Sequence, residues 1–499
     1  MEYLVEPWKH QKLAIERAKA LPGFGLFFEM GAGKTSTAIN ILRAKGMEKG
    51  RLLRTLVFGP PIVLHNWKRE FGVHSKIDQR LISVLHGPGK GRVKLFEAKG
   101  WGKDPVYVNP QRMPHVFITN YESLSMDELF ELFEAWAPEA IVFDECHKLK
   151  DRSSKRSKLA EKLANPGTKK NPAPRPFVYC LTGSPILNNA MDIFQQYKIL
   201  DGGEAFGQSF FEFRSRYFRD KNAGMPSQKH FPNWVPIPGS MEEISKRMER
   251  SSMRVLKKDC LDLPPLVRKT VTIEMNGEQK RAYKEMLNEF ITFFEKDGEQ
   301  HTAMATLAIT KGLRLMQLAS GYVKTVDGKE VPLTEGFSPK QEALEELLSE
   351  LCPTNKVLIW AVWRENYRQI RAVLDKLGVK FVEVHGDVKD GDKFKNVDQF
   401  TNDSDTRVLL GHPGSGGIGI NLVAASYSIF FSRNFSLEQD LQAEARNHRG
   451  GSEIHEKITR IDLVTKDSIE EKIVEALARK QEIGNHVLRE ITLSLKGET

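Results

Sequence analysis

Two stretches of this chain carry residue types suited to phosphate chemistry. Leu26-Phe-Phe28 reads as a strand, Gly31-Ala-Gly33-Lys34-Thr35 as a tight glycine turn, and Ser36 to Ala44 as a helix. In that order, glycines let backbone N–H groups close around phosphate oxygens and the helix N-terminus adds positive potential. Lys34 then neutralises β/γ charge, the Thr35 hydroxyl is a ligand for Mg2+, and Met30, Gly31, Ala32 and Gly33 become nucleotide contacts. The match to the general loop is incomplete, because Phe28 stands six residues before Lys34 where the pattern has glycine. In isolation the same residues also describe a glycine-rich turn ending in a surface lysine.

The second stretch is Asp144-Glu145-Cys146-His147, which follows the apolar run Ile141-Val-Phe143 and lies 110 residues after Lys34 (144 − 34). Open α/β sheets place ligands at the carboxyl ends of their strands. There Asp144 is suited to holding Mg2+ with Thr35, and Glu145 to orienting and deprotonating an attacking water. Taken alone the tetrapeptide is an acidic loop cap; with a strand in front of each motif, the pair points to hydrolysis of a nucleotide. Late in the chain, Arg446 and Arg449 lie three apart, so a helix would project both from one face. Guanidinium groups there would stabilise the charge of a phosphoryl-transfer transition state, with Gln442 beside them. On an exposed helix the same arginines would pair with Glu438 or Glu444.

The elements that must position these groups follow from apolar runs. Leu56 to Phe58, Val116 to Thr119, Ile141 to Phe143 and Phe177 to Leu181 read as buried parallel strands, and a second series runs Val357 to Trp360, Phe381 to Val384, Val408 to Leu410, Ile429 to Phe431 and Ile458 to Val464. Two α/β parallel-sheet lobes are predicted, residues 1–205 and 339–499. Between them, 206–338 reads as helical insertions and linker, with a helix over Gly277 to Glu295 and a crossing near Leu263-Pro-Pro265. Phe210 to Phe218 interleaves aromatic and basic residues, which suits base stacking, although its helical spacing better fits packing onto the first lobe. Trp67 reads as a core anchor.

The composition is 40% hydrophobic and 28% charged, that of a globular protein and not of a fibre or disordered tail. No signal-like start and no run of about 18 apolar residues is visible, so an intracellular protein without a membrane anchor is expected. The four cysteines, Cys146, Cys180, Cys260 and Cys352, lack zinc-ligand spacing and suit a reducing compartment. An excess of 74 Lys+Arg over 65 Asp+Glu gives +9. Between Lys148 and Arg175 ten basic residues face only Asp151 and Glu161. That surplus is consistent with a polyanionic partner and equally with a solvated loop.

Several segments resemble the Swi/Snf-type branch of superfamily two, the DNA translocases related to chromatin remodellers. In order they are Pro7-Trp-Lys-His-Gln11, Glu29 to Thr35, Pro60 to Trp67, Ile118 to Tyr121, Asp144 to His147, Leu181 to Asn189, Gly416 to Leu422 and Gln442 to Arg449. Asn434 to Glu438 resembles compact phage-type or prophage-type members. The resemblance implies RecA-like lobes, ATP with Mg2+, and double-stranded DNA as the track, in a monomer associated with DNA in the cytoplasm, or the nucleus of a eukaryotic host. It further implies that Gln11 reads adenine, that Thr182 to Ser184 couple nucleotide to DNA, and that Gly417 and Asn421 lie near both ligands. A strand-separating DNA or RNA helicase, a recruiting scaffold with a decayed ATPase, and the motor subunit of a larger DNA-processing or defence assembly are the rival readings.

Overall fold

Short apolar runs become parallel strands where helices cover both faces of a sheet, because every side chain is then withdrawn from water. The first such sheet uses β1 (Gly23–Phe28), β2 (Thr55–Gly59), β3 (Ile82–Leu85), β4 (Val116–Asn120), β5 (Ala140–Asp144) and β6 (Phe177–Leu181). A small antiparallel pair, β7 (Phe218–Asp220) and β8 (Trp234–Pro236), precedes the last member, β9 (Ser252–Val255). Their order is β3-β4-β2-β5-β6-β1-β9, and all neighbours are parallel. The second sheet takes β10 (Leu266–Ile273), and then, after the antiparallel pair β11 (Tyr322–Lys324) and β12 (Glu330–Pro332), the strands β13 (Val357–Trp360), β14 (Phe381–Val384), β15 (Val408–Gly411), β16 (Tyr427–Phe430) and β17 (Ile458–Thr465). It is likewise all parallel, ordered β10-β17-β16-β13-β15-β14. This computed structural model describes residues 2–98, 115–167, 171, 173–186, 189–224, 232–296, 312–325, 327, 329–414 and 420–487.

The α/β class with two parallel-sheet lobes is therefore the observed one, and the chain divides into two units between Leu261 and Asp262. In the first sheet, Phe27, Phe58 and Phe143 join one buried cluster while Phe28, Val57 and Val142 join the other. Successive side chains thus feed opposite faces, as the strand repeat requires. Each fully buried aromatic contributes roughly 1.5–3 kcal/mol relative to exposure, which makes these strands a rigid base for the loops at their ends.

Among the described residues, three strands of the two large sheets, and the two short antiparallel pairs, were not expected from the sequence. Ile82–Leu85 is only four residues long, and Ser252–Val255 contains the buried Arg254. Leu266–Ile273 is an edge strand that leaves Arg268, Lys269 and Thr270 exposed, so it has no continuous apolar run. The stretch read as helical insertions and linker between the lobes accordingly supplies one strand to each large sheet. The strand read as Ile429 to Phe431 lies at Tyr427–Phe430.

The helix Phe210–Tyr217 buries Phe213 and Tyr217 among Phe194 and Phe206, so its aromatics pack the insertion onto the first lobe, and only Phe211 turns outward at 61% exposure. The basic stretch after His147 is partly neutralised: Lys150, Lys155, Arg156 and Lys162 pair with Asp192, Asp127, Glu122 and Glu134. All four cysteines are free. Among the described residues no helix is long and apolar enough to cross a membrane.

Candidate active site

At the carboxyl end of β1 the backbone reverses through Gly31 (φ 87°) and Gly33 (φ 78°) and enters the helix Lys34–Glu48, with Gly33 as its N-cap. Both values lie in the left-handed region, where any side chain costs roughly 1–2 kcal/mol. Gly33 is doubly constrained, because a Cβ there would stand 2.0 Å from Gln11 Nε2. The first N–H groups of a helix have no intrahelical acceptor, so this turn presents donors at the carboxyl end of β1. Lys34 Nζ donates to the Phe28 carbonyl at 2.9 Å, so the residue that broke the expected glycine pattern contributes only its backbone. Thr35 follows in the first turn, half-buried.

The loop is held from outside by the helix Lys9–Lys19. The Gln11 amide donates to the Gly33 carbonyl at 3.2 Å and to Ser36 Oγ at 3.0 Å, and its oxygen accepts from the Trp8 N–H at 2.8 Å. Gln11 is thus bonded to the phosphate loop itself. His10 Nε2 lies 2.9 Å from the Ala32 carbonyl, which fixes that nitrogen as the protonated one, and its ring meets Phe28 edge-on at 5.4 Å. His10 is a contact that the sequence reading missed.

The acid pair stands at the carboxyl end of β5, two strands from β1 across β6. The Trp67 indole donates to Asp144 Oδ2 at 2.8 Å and the Tyr121 hydroxyl to the Asp144 carbonyl at 2.8 Å. Burial first, then the Glu145 charge, pushes the Asp144 carboxyl up to about 6, against the pull of Trp67 and Lys34. For Glu145, burial alone would raise the carboxyl, but His147, Lys34 and Thr182 together bring it down to about 2. Asp144 thus keeps its proton to a higher pH than the carboxyl beside it, and the charge of Lys34 acts on both. Glu145 also occupies the left-handed region at φ 57°, a strained backbone that turns its side chain off the strand.

Glu145 is in turn linked to β6. Thr182 Oγ1 donates to Glu145 Oε2 at 3.2 Å and accepts the Ser184 N–H at 3.2 Å, while His147 Nδ1 is 3.0 Å from the same hydroxyl. Since that hydroxyl gives its proton to Glu145, the ring donates from Nδ1. Among the described residues no group of three or more His, Cys, Asp or Glu side chains is arranged to hold a metal ion. One carboxylate, Asp144, and one hydroxyl, Thr35, suit Mg2+ bound chiefly through water and phosphate oxygens.

In the second unit the helix Leu437–Glu444 carries Gln442, whose amide donates to Glu438 Oε1 at 3.0 Å. The single helix expected to present Arg446 and Arg449 ends before either residue. Asn447 turns its amide to the Ala425 carbonyl at 3.2 Å, and Gly450-Gly451, with Gly451 at φ 102°, makes continuation unfavourable. Arg446 is buried, with Nη1 3.4 Å from the Ile420 carbonyl. Burial also pulls the Arg449 guanidinium below its ordinary value, although arginine stays charged. Asn421 bonds the Val423 N–H locally at 3.4 Å, whereas Gly417, Leu187 and Asn188 lie outside the described residues.

Two parallel-sheet lobes, one bearing a phosphate loop beside an acid pair, define a helicase-like nucleotide-binding protein. Residues 13–319 match the SNF2-related domain and residues 339–451 the helicase conserved C-terminal domain. The chain belongs to the SNF2-related family of helicase-like ATPases. Its similar relatives include chromodomain-helicase-DNA-binding protein 7 of Gallus gallus, 26% identical over 492 residues covering 93% of this chain and 15% of that protein. Chromodomain-helicase-DNA-binding protein 1-like of Danio rerio is 25% identical over 480 residues, covering 94% and 42%. The chain therefore spans less than half the length of these relatives. A solved Sulfolobus solfataricus SWI2/SNF2 ATPase core in complex with dsDNA aligns over 98% of both chains, with 21% identity and a TM-score of 0.41.

Proposed function

We propose that this protein is a DNA-stimulated ATPase that translocates along double-stranded DNA, driven by ATP hydrolysis in which residues of both lobes take part. The observation that carries the reading is the shared influence of Lys34 on Asp144 and Glu145, with Thr182 bonded to the second of these. Lys34 and the N–H groups of Gly31 to Thr35 bind the β- and γ-phosphates, and Gln11 supports the loop from the adenine side. Thr35 and Asp144 would hold Mg2+, which would supply neutralisation of the phosphate charge. Glu145, ionised, orients a water toward the γ-phosphate and takes its proton as the β–γ bridging bond breaks to ADP and phosphate. Arg446 and Arg449, with Gln442, meet the transferring phosphoryl group, a contribution worth about 10³ to 10⁵ in rate for such a guanidinium.

The choice of duplex DNA draws on the family and on the DNA-binding relatives. Contacts to backbone phosphates should make binding strongly salt-dependent with little sequence preference. The test is ATPase activity with duplex DNA, single strands, RNA and branched DNA at two salt concentrations, together with displacement of a triplex-forming strand. Duplex stimulation with triplex displacement and no unwinding is the expected result. Greater stimulation by single strands with strand separation would instead establish the helicase reading, and unaltered turnover in Glu145→Gln would overturn the assignment of the base.

A further inference from the structure

The chain enters its second unit through Leu263-Pro-Pro265 and immediately forms β10, which pairs with β17 from Leu266↔Ile458 to Ile273↔Thr465. Two side-chain contacts tie this short entry segment to the turn that bears Arg446 and Arg449. Arg268, on β10, grips Glu444 with both ends of its guanidinium, Nε to Oε2 at 2.9 Å and Nη2 to Oε1 at 2.7 Å. His448 Nε2 stands 3.0 Å from the Pro264 carbonyl, an acceptor, so this nitrogen donates. Glu444 and His448 bracket Arg446, and Arg449 follows at once. The arginine turn is thus held at both ends by the five residues Pro264 to Arg268, the start of β10 and the two residues before it.

The same face of the helix Leu437–Glu444 is held by a second arginine. Arg460, buried on β17, bonds Asp440 through two nitrogens at 2.9 Å, Glu444 at 2.9 Å and Asp462 at 2.9 Å, with its guanidinium 4.0 Å from the centre of the Phe430 ring. Glu444 is therefore shared between two arginines that are register partners on neighbouring strands, the buried Arg460 of β17 and Arg268 of the edge strand β10, which is 51% exposed. A lone pair that exposed contributes little to folding. A bidentate arginine–carboxylate pair does, however, fix orientation, and a displacement of about 1 Å at a catalytic group costs on the order of 10² in rate.

We propose that Pro264 to Arg268, where the chain enters the second sheet, form a strap that sets the position of Arg446 and Arg449, with Arg268 and His448 as positioning residues. The proposal rests on the reading of those two arginines given above. A strap of this kind makes the coupling of DNA engagement to hydrolysis depend on Arg268, while phosphate binding at Lys34 does not.

The test uses the full chain and four variants, Arg268→Met, Arg268→Lys, His448→Ala and His448→Gln, assayed for ATPase with and without duplex DNA and for melting temperature. Arg268→Met is expected to lower DNA-stimulated kcat about tenfold with KM for ATP within about twofold, and basal rate and melting temperature unchanged. Arg268→Lys keeps charge but loses the fork and should recover only in part. His448→Ala should reduce stimulation, and His448→Gln, whose amide can donate to the Pro264 carbonyl, should restore it. A normal ratio of stimulated to basal rate in Arg268→Met and His448→Ala, alongside an inactive Arg449→Ala, overturns the strap. So does a parallel fall of basal rate, stimulated rate and melting temperature. Normal turnover in both Arg446→Ala and Arg449→Ala instead overturns the functional reading on which it rests.

Discussion

The Thr182 hydroxyl, just past β6, donates to Glu145, just past β5, across 3.2 Å, and so joins the ends of two adjacent strands through the group proposed to activate water. Thr182→Val keeps the shape and removes the donor. We expect kcat to fall by about 10 to 100-fold, since the lost hydrogen bond is to a charged group, while nucleotide affinity stays within about twofold. Steady-state ATPase and binding of a fluorescent nucleotide separate the two effects. Equal losses in both would assign Thr182 to binding instead.

Asp144 lends the nucleotide-free enzyme a pH dependence. Its carboxyl, raised to about 6 by burial and by Glu145, must ionise to hold Mg2+, so kcat/KM should rise with pH through an acid limb near 6. The Trp67 hydrogen bond favours the ionised form. Trp67→Phe should therefore move the limb upward by roughly one pH unit, from about 1.5 kcal/mol for a bond to a charged group. A limb that stays in place or moves down would detach it from Asp144.

The same shift bears on stability with a definite sign. A carboxyl raised on folding stabilises the native state below its ordinary value of 3.8, and that contribution is lost as pH climbs through about 6. At pH 8 the wild-type lobe therefore holds an unfavourable buried charge. Asp144→Asn should melt at a higher temperature than wild type at pH 8, with the gap narrowing toward pH 4, although it hydrolyses nothing. Differential scanning calorimetry at both pH values reads this directly.

In the second unit Lys340 and Glu470 form a buried pair at 2.6 Å, with exposures of 2% and 5%, and Lys340 also donates to the Phe431 carbonyl at 3.0 Å. Burial pulls the Lys340 ammonium below its ordinary value despite the carboxylate beside it. Lys340→Met strands a carboxylate and should cost about 3–5 kcal/mol in denaturant unfolding of that unit. Adding Glu470→Gln should restore a good part of it, and an additive pair of losses would contradict the coupling.

The glycine turn before the helix Lys34–Glu48 and the acids at the end of β5 were legible because their local structure is set within a few residues, Gly31 to Thr35 and Asp144-Glu145. The partners of those groups were not. Trp67 reaches Asp144 across 77 positions, and Thr182 reaches Glu145 across 37, distances that only the sheet order brings together. Gln11 was attached to adenine by resemblance, and its bonds to Gly33 and Ser36 become visible only when the helix Lys9–Lys19 is docked. The spacing of Arg446 and Arg449 was misleading, since a three-residue interval implies one face only while the helix persists. Here the helix stops at Glu444, with Ala445 at its C-cap, before either arginine.

One feature of the first sheet bears on how the protein is made. β1, which leads into the phosphate loop, is flanked on one side by β9, and Glu29 donates its N–H to the Val255 carbonyl at 2.9 Å while its carboxylate accepts the Lys257 N–H at 2.8 Å. A growing chain on the ribosome thus carries β1 as an open sheet edge until more than two hundred later residues have emerged, a long-range closure of the kind that is slow and prone to misassociation. Fragments stopped before Ser252 should aggregate on synthesis, whereas those reaching Lys257 should yield a soluble first lobe.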